Sequence, residues 1–519
     1  MTETTEALRA ETGAGTTGRV AVWLDRVLVG WLFALVLFAP HSIAATQISW
    51  LCGLLVWVIR FFVAPRPRLD RTPLDYALLG FFILTFISAL FSYDLPASLG
   101  KLRAASLFTI VFLVAENVRS KRVLRWLALL LVASCTINGL LTLGQRAAGR
   151  GVKVEGVAAN SPLRAAVFVA PKHEDPTPVQ NGDTILEVDG RPLHSLEELA
   201  AALDASQGED PAIIRIYRVE WMPVLRVPRG RLLAGATPLE RLGLAGWSRG
   251  RDWRASGFYG HYTTYAEALQ LIASLALGLF IAGRNRRGAA LLLAALAVLG
   301  SALLLTVTRA SWLAFLLSAL LIVLAGASRR TVLVVAAVAL PVVFAGLVVL
   351  QQKRNVSFFD RTDASITWRE TVWREGFDLL KSKPRHLLVG VGMDSIKYHW
   401  RQWGLFDNGK IPVGHMHSTP LQLALERGIP VLLAWIILLA LYARMLFRLV
   451  CGLSVDGWVE RGIALGALGG LAGFVTSGMV HYNLGDSEVV MIFYLIMGLA
   501  LVVHRQARAP EHEAAGHVA

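Results

Sequence analysis

The chain has 519 residues, of which 55% are hydrophobic and 17% are charged, and its mean hydropathy is +0.53. This composition is too apolar for an ordinary soluble protein and indicates a polytopic membrane protein. The formal charge is +14, but the cations lie in short clusters between apolar runs, without a separate basic patch of interleaved aromatic residues, which argues against nucleic-acid binding. The three cysteines have no metal-ligand spacing, so a disulfide framework or a cysteine metal site is not expected.

Taken in order, the chain begins with residues 1–19, which are rich in Thr, Glu, Ala and Gly and lack the basic start of a signal peptide. They predict a disordered cytoplasmic tail. About twelve apolar runs of roughly 17–25 residues follow, each long enough to cross a bilayer. The predicted spans are 24–42, 46–64, 74–92, 104–119, 123–144, 265–283, 288–307, 310–327, 331–350, 429–449, 461–480 and 488–504. Residues 20–144 thus hold helices 1–5, residues 265–350 helices 6–9 and residues 429–504 helices 10–12.

Clusters of arginine and lysine follow alternate spans, and by the positive-inside rule these loops are cytoplasmic. Both termini, including the tail at 505–519, then lie in the cytoplasm. Two long polar segments, at about 145–264 and 351–428, fall on the outer side. The fold class is therefore an α-helical polytopic membrane protein with a large outer loop and a small α+β insertion.

The insertion is predicted at residues 145–230, with a connector at 231–264. The run G-D-T-I-L-E-V-D-G-R-P-L from Gly182 predicts a strand, an Asp-Gly turn and a second strand. A short amphipathic helix at Ser195–Leu203 and a closing strand at Ala212–Arg218 follow. This pattern resembles a PDZ domain, a module that binds extended peptides at a sheet edge. A peptide or protein partner is one alternative for the insertion, and packing against the membrane core is the other.

Two histidines, His415 and His417, stand where the second outer segment gives way to an apolar helix. Imidazole is well suited to proton transfer near neutral pH, although such a histidine is also commonly a polar helix cap. Three arginines are predicted on the same face: Arg309 in a tight turn, Arg369 in an amphipathic helix, and Arg254 before the sixth span. Gathered guanidinium groups suit a phosphate or pyrophosphate ligand. The alternatives are a snorkelling anchor for Arg309 and ion pairs for Arg369.

Other residues of the predicted outer face are candidates for contact with an acceptor or a glycan. His481 and Asp486 lie in the last outer loop, where capping of the flanking helices is the alternative. Trp403 belongs to an aromatic cluster that suits either sugar stacking or the bilayer interface. His415 and His417 lack a third ligand at zinc spacing, and no acidic cluster with Mg²⁺-like spacing lies near them, so no metal is expected.

A set of short motifs runs in a fixed order through the second half of the chain. Residues Arg309 to Leu313 fit the pattern R-x-x-x-L, Arg369 and Gly390-Val391-Gly392 follow, and His417-Ser418 precedes Gly428 by nine intervening residues. In this order the motifs resemble those of the O-antigen ligase and O-antigen polymerase superfamily. The resemblance spans nearly the whole chain outside the insertion.

The resemblance implies a metal-independent, inverting glycosyltransferase of the C-type membrane fold, without a cofactor, at the periplasmic face of the bacterial inner membrane. Its donor would be a glycan on undecaprenyl pyrophosphate, and its acceptor lipid A–core or another glycan. Within the large periplasmic catalytic loop at 351–428, His417 would deprotonate the acceptor hydroxyl. Arg309 and Arg369, with Arg254, would stabilise the departing pyrophosphate.

Three alternatives remain open from the sequence. A polymerase of the same superfamily would join repeat units by the same chemistry. A transporter would carry ionisable residues inside its spans and broken helices paired between two halves, which this pattern disfavours. A non-catalytic periplasmic scaffold would work through the PDZ-like insertion and would tolerate the loss of His417.

Overall fold

The computed structural model describes residues 2–169, 178–218, 222–330, 332, 364–454 and 457–516. Among these residues, ten helices are long and apolar enough to cross a membrane, as expected for a polytopic membrane protein. A shorter apolar helix, Asp75–Leu90, occupies the position of the third predicted span. The ninth predicted span, 331–350, lies outside the described residues except for residue 332, so the number of about twelve spans stays a prediction.

The helices before the large polar loop are α1 (Thr2–Phe38), α2 (Ile43–Arg60), α3 (Asp75–Leu90), α4 (Leu95–Ala105), α5 (Thr109–Asn117), α6 (Lys121–Ala148), α7 (Leu196–Ala202), α8 (Pro238–Leu242), α9 (Tyr262–Ala282), α10 (Arg286–Leu305) and α11 (Arg309–Gly326). Within that loop lie α12 (Ala364–Lys381), α13 (Pro384–Val389), α14 (Ser395–His399), α15 (Leu405–Gly409) and α16 (Thr419–Arg427). After it come α17 (Ile429–Gly452), α18 (Trp458–Gly478) and α19 (Ser487–Gly516).

The helices at both ends of the chain extend into the segments predicted as tails. Helix α1 already begins at Thr2, whereas residues 1–19 are predicted to be disordered. At the other end, α19 continues to Gly516, through most of the predicted tail at 505–519. Alanine, glutamate and arginine in these segments are good helix formers, so a helix that begins in the apolar run can extend into them.

Helix α9 is central in the bundle, since 83% of its apolar stretch is buried in the protein, against 28% for α10. It packs on α18 through small residues. A Cβ on Gly278 would stand 2.3 Å from the backbone nitrogen of Gly466, and one on Gly462 would stand 2.8 Å from the Cα of Leu279. Glycines spaced four apart let helix backbones approach closely, which is a common way for membrane helices to pack. The start of α9 is thereby placed beside the loop that joins α18 to α19.

The insertion folds as an antiparallel sheet. Its strands are β1 (Val152–Val157), β2 (Val167–Phe168), β3 (Thr184–Val188), β4 (Arg191–Pro192), β5 (Ala212–Tyr217), β6 (Val224–Val227) and β7 (Leu244–Arg249). They are ordered β2-β6-β5-β3-β1-β7, with β4 paired to β3. The predicted strand, turn and strand are confirmed in β3 and β4, the predicted helix in α7 and the closing strand in β5. The PDZ-like identity of this sheet domain stays a prediction.

The sheet domain also reaches beyond its predicted end at residue 230. Strand β7 comes from the stretch predicted as a connector, 231–264, and pairs along β1 from Val152↔Arg249 to Val157↔Leu244. The sequence L-A-G-W-S-R contains no β-branched residue, so its composition does not signal a strand. Pairing with β1 decides its conformation.

Candidate active site

His417 lies in a strained turn just before α16. Its φ angle is +46°, in the left-handed region that costs a non-glycine residue on the order of 1–2 kcal/mol. Its amide donates a hydrogen bond of 3.2 Å to Nδ1 of His415. The neighbouring Met416 is held on both sides, because its amide donates to Oε1 of Gln422 at 2.7 Å and its carbonyl accepts from the indole N–H of Trp373 at 2.8 Å. Strain that is held in this way is characteristic of functional sites.

The imidazole of His417 stands among other rings. Its centroid lies 4.0 Å from that of His415, 4.6 Å from Trp368 in an edge-on arrangement, and 6.4 Å from His481. The loop of His481 is fixed by Thr419, whose amide and hydroxyl both donate to the His481 carbonyl, at 3.0 and 3.1 Å. Nδ1 of His417 is buried and has no hydrogen-bond partner among the described residues. A ligand hydroxyl at this atom would satisfy it.

Three histidines of this cluster are neutral at pH 7. Burial, followed by repulsion from His415, His481 and Arg369, lowers the pKa of His417 to about 2. Burial and the charge of Arg369 lower the pKa of His481 to about 3, and burial lowers that of His415 to about 4. A neutral imidazole has a free lone pair, which is the form that a general base requires.

The structure brings the predicted arginines to the same region. Arg369, in α12, directly follows Trp368 and is close enough for its charge to act on His417 and His481. Arg309 is the first residue of α11, where the helix dipole adds positive potential. The charge of Arg309 lowers the pKa of Arg254, after the larger effect of burial, and Arg254 in turn acts on His481. The charges of Arg369 and Arg254 therefore both act on His481, and Arg309 lies close enough to act on Arg254.

The guanidinium of Arg254 contacts the turn between α10 and α11. Its Nε donates to the carbonyl of Thr306 at 2.8 Å, and Nη2 donates to the carbonyl of Val307 at 2.6 Å and to Oγ1 of Thr308 at 3.3 Å. It also lies 3.5 Å from the ring centroid of Tyr262, a cation–π distance. The predicted role of Arg254 as a pyrophosphate ligand stays a prediction.

Trp403 lies in a different aromatic cluster from His417. Its ring packs 5.5 Å from Tyr93 and 5.4 Å from His399, and the Tyr93 hydroxyl is 2.9 Å from Nε2 of His386. These contacts join the loop after α14 to the segment that follows α3. A glycan contact at Trp403 stays a prediction.

A cavity of about 220 Å³ adjoins the histidine cluster. His415 and Tyr482 form its wall on the side of His417, with their ring centroids 5.7 Å apart. The buried pair Glu426 and Arg427 also lines it, and Asp394 completes a polar wall. Glu426 accepts from the amide of Asp394 at 2.9 Å and from the hydroxyl of Tyr482 at 3.5 Å, while Nη2 of Arg427 donates to that hydroxyl at 3.4 Å. The cavity is suited to a polar ligand with several hydroxyl groups.

The site also contains residues that the sequence motifs do not include. His261 caps α9, with its Nδ1 accepting from the amide of Thr263 at 3.2 Å, and it is close enough for its protonated form to lower the pKa of His417. His261 lies only seven residues after Arg254 in the sequence, and this proximity could have indicated that it belongs to the site. Glu426 and Arg427 stand directly before Gly428, and an acid–base pair in an otherwise apolar helix was also an available signal.

Asp486 contacts α9, which does not flank its loop, so its predicted capping of the flanking helices stays a prediction. Its Oδ2 accepts from the hydroxyl of Thr264 in the first turn of α9 at 2.8 Å, and the residue lines the cavity as well. Burial raises the pKa of Asp486 to about 6. Within the part of the chain that the structure describes, no group of three or more His, Cys, Asp or Glu side chains is arranged to hold a metal ion. A metal-free reaction stays a prediction.

A comparison with known protein families gives a match in the second half of the chain. The family model described as O-antigen ligase matches residues 293–436. This stretch contains Arg309, Arg369, His415 and His417, and it leaves out Arg254 and the sheet domain. No curated protein sequence matches the chain.

Proposed function

Because the chain belongs to the O-antigen ligase and polymerase superfamily, we propose that it transfers a glycan from undecaprenyl pyrophosphate to an acceptor hydroxyl. The proposed acceptor is lipid A–core or another glycan, and the proposed location is the periplasmic face of a bacterial inner membrane, with both termini cytoplasmic. A polymerase of the same superfamily would use the same residues to join repeat units.

The observation that carries this proposal is the environment of His417. Within the segment that matches the family, this imidazole is neutral, has a buried Nδ1 without a hydrogen-bond partner among the described residues, and lies within electrostatic reach of Arg369. A base beside fixed positive charge is the combination that attack by a hydroxyl on a pyrophosphate-linked sugar requires.

The proposed step balances as follows. The acceptor oxygen bonds to the anomeric carbon of the donor sugar while the bond from that carbon to the pyrophosphate oxygen breaks with its electron pair. The hydroxyl proton passes to His417, and Arg309 and Arg369 stabilise the charge that grows on the leaving undecaprenyl pyrophosphate. Attack from the face opposite the leaving group inverts the anomeric centre. The bound pyrophosphate supplies negative charge near His417, which favours the imidazolium that forms.

The cavity on the far side of His415 is the proposed acceptor site. Its wall offers the hydroxyl of Tyr482 and the carboxylate of Glu426, which are suited to sugar hydroxyl groups. His415 separates this cavity from His417, and His481 packs near the base from the next loop. His415 and His481 are therefore proposed as acceptor contacts.

The test is transfer in vitro by the purified full-length protein, with undecaprenyl-pyrophosphate glycan as the donor and a chelator present. We expect His417→Ala to lower kcat by about 10²–10⁴-fold, the usual contribution of a general base. Arg309→Ala and Arg369→Ala should each lower kcat/KM for the donor. Matched controls are the exposed His194→Ala in the sheet domain and the exposed Arg374→Ala on the same helix as Arg369.

Full activity of His417→Ala would contradict the assignment of the base, whereas the absence of transfer by the wild-type protein would favour a non-catalytic scaffold. Loss of wild-type activity with the chelator would contradict the metal-free reaction. Growth of the product in repeat-unit steps would indicate a polymerase, whereas a single glycan moved to a distinct acceptor would indicate a ligase.

The partner of the PDZ-like sheet domain stays a prediction. The outer edge of β1 is occupied by β7, so β2 and β7 are the outermost strands of the described sheet. A peptide that adds a strand would pair there or displace β7.

A further inference from the structure

The turn that precedes Arg309 has an unusual backbone. Val307 has a φ angle of +52°, in the left-handed region that β-branched residues rarely adopt. The turn has some support of its own, because the hydroxyl of Thr306 donates to the carbonyl of Leu303 at 2.7 Å and accepts from the amide of Thr308 at 3.3 Å. A strained conformation of this kind persists only where surrounding groups hold it.

Arg254 is the side chain that holds this turn from outside. Its guanidinium contacts three consecutive residues, Thr306, Val307 and Thr308, and one of its bonds goes to the carbonyl of the strained Val307 itself, at 2.6 Å. The backbone contributes next to it, because the amide of Ala255 donates to the carbonyl of Leu305 at 2.9 Å. A planar fork with several donors fixes carbonyl groups in direction as well as in distance.

Arg254 is itself anchored from both sides. On one side, strand β7 ends at Arg249, and the carbonyl of Trp253 accepts from Nη1 of Arg146 at 2.6 Å. On the other side, the guanidinium lies against Tyr262, the first residue of α9, the most central helix of the bundle together with α19. The segment of Arg254 is therefore tied to α6 through the carbonyl of Trp253 and to α9 through the ring of Tyr262.

We propose that Arg254 is a positioning residue that holds the turn at 306–308 and thereby aims Arg309 at the donor pyrophosphate. This inference rests on the proposed function. The residue after Thr308 is Arg309. A change in the φ angle of Val307 therefore changes the direction of the first turn of α11 and moves the guanidinium of Arg309. Arg254 lies outside the matched family segment, so this support comes from a part of the chain that the family match does not include.

The test first removes the guanidinium that supports the turn, by Arg254→Ala, and then removes the backbone strain at Val307, by Val307→Gly. Arg254→Ala should raise the donor KM and lower kcat/KM by about 100-fold, the effect of misplacing a binding group by about 1 Å. Adding Val307→Gly should recover at least about ten-fold of this loss, because glycine adopts a positive φ angle without steric cost. The matched control adds Val307→Ala to Arg254→Ala, which shortens the side chain but keeps the Cβ, and should recover little.

Binding of inorganic pyrophosphate to the purified protein, measured by calorimetry, gives a second readout. It should follow the same order: wild type, then Arg254→Ala with Val307→Gly, then Arg254→Ala. Equal recovery by Val307→Gly and Val307→Ala, or none by either, would overturn the positioning role. An unchanged donor KM in Arg254→Ala would also overturn it.

The two proposals fail differently. If Arg309→Ala keeps the wild-type rate, the proposed function of Arg309 is wrong. If Arg309→Ala is inactive and the glycine variant does not recover the Arg254→Ala enzyme, only the positioning role is wrong.

Discussion

Lowering the pH from 7.5 to 5.5 should destabilise the protein through His415, His417 and His481. The pKa is lowered to about 2 in His417, about 3 in His481 and about 4 in His415, whereas an unfolded histidine has a pKa of about 6.5. The unfolded chain therefore binds more protons than the folded one below pH 6.5. Stability is fully present above that pH and falls as the pH drops towards the folded pKa values.

The size of the effect follows from linkage. Each histidine loses about 1.4 kcal/mol per pH unit below 6.5, so at pH 5.5 the three together lose at most about 4 kcal/mol. His415 and His417 are only half-buried, so solvent screening reduces this total to about 2–4 kcal/mol. That is a large fraction of the stability of an ordinary domain.

The assay is denaturant unfolding of the detergent-solubilised protein at both pH values, followed by tryptophan fluorescence. Trp368 packs 4.6 Å from the His417 ring and reports on this region. The pH-dependent loss should shrink by about 1 kcal/mol in His417→Gln and again in His481→Gln, since glutamine does not titrate. His194→Gln, at an exposed position, is the control. An equal pH-dependent loss in the wild type and in the double variant would refute the reasoning.

Three further predictions concern the hydrogen bonds of Thr419, the packing of Gly390 and the pH dependence of kcat/KM. Thr419→Val removes a hydroxyl that donates to two acceptors, at 3.1 and 2.8 Å, and should lower the free energy of unfolding by about 1–3 kcal/mol in the same denaturant assay. Gly390→Ala places a Cβ 2.4 Å from the backbone of α16 at a φ angle of +70° and should lower the thermal midpoint of the protein. Gly414→Ala, with no atom within 4 Å of the new Cβ, should leave that midpoint unchanged, and equal midpoints in the two variants would contradict the packing argument. Because the pKa of His417 is lowered to about 2, kcat/KM should not fall between pH 8 and about 6, and a half-maximal rate near pH 6.5 would show an unperturbed imidazole.

The residue types and their order along the chain already predict the membrane class and the main chemistry. Apolar runs predict most of the spans, because a helix that crosses the hydrocarbon core of a bilayer needs apolar side chains over the whole thickness of that core. The residues of the insertion predict β3, β4, α7 and β5 because alternation and an Asp-Gly turn are local signals. The sequence also selects His417, Arg309 and Arg369 through their motifs, which all lie in the segment that matches the family.

Other features depend on contacts between distant parts of the chain, which local patterns do not encode. Strand β7 exists because it pairs with β1, although its composition is not typical of a strand. His261 joins the site because the close packing of α9 on α18 brings the start of α9 beside the loop of His481. The contacts of Arg254 with the turn before Arg309 cross 52 residues of sequence at the least.

The sequence by itself therefore determined that this is a polytopic membrane protein, and it selected the histidine and the arginines of the proposed site. Only the tertiary structure decided that His417 is neutral, that a cavity adjoins it behind His415, and that Arg254 contacts the strained turn of Val307. The physical reason is that charge state and backbone strain depend on burial and on neighbours. Both arise when segments far apart in the chain pack together.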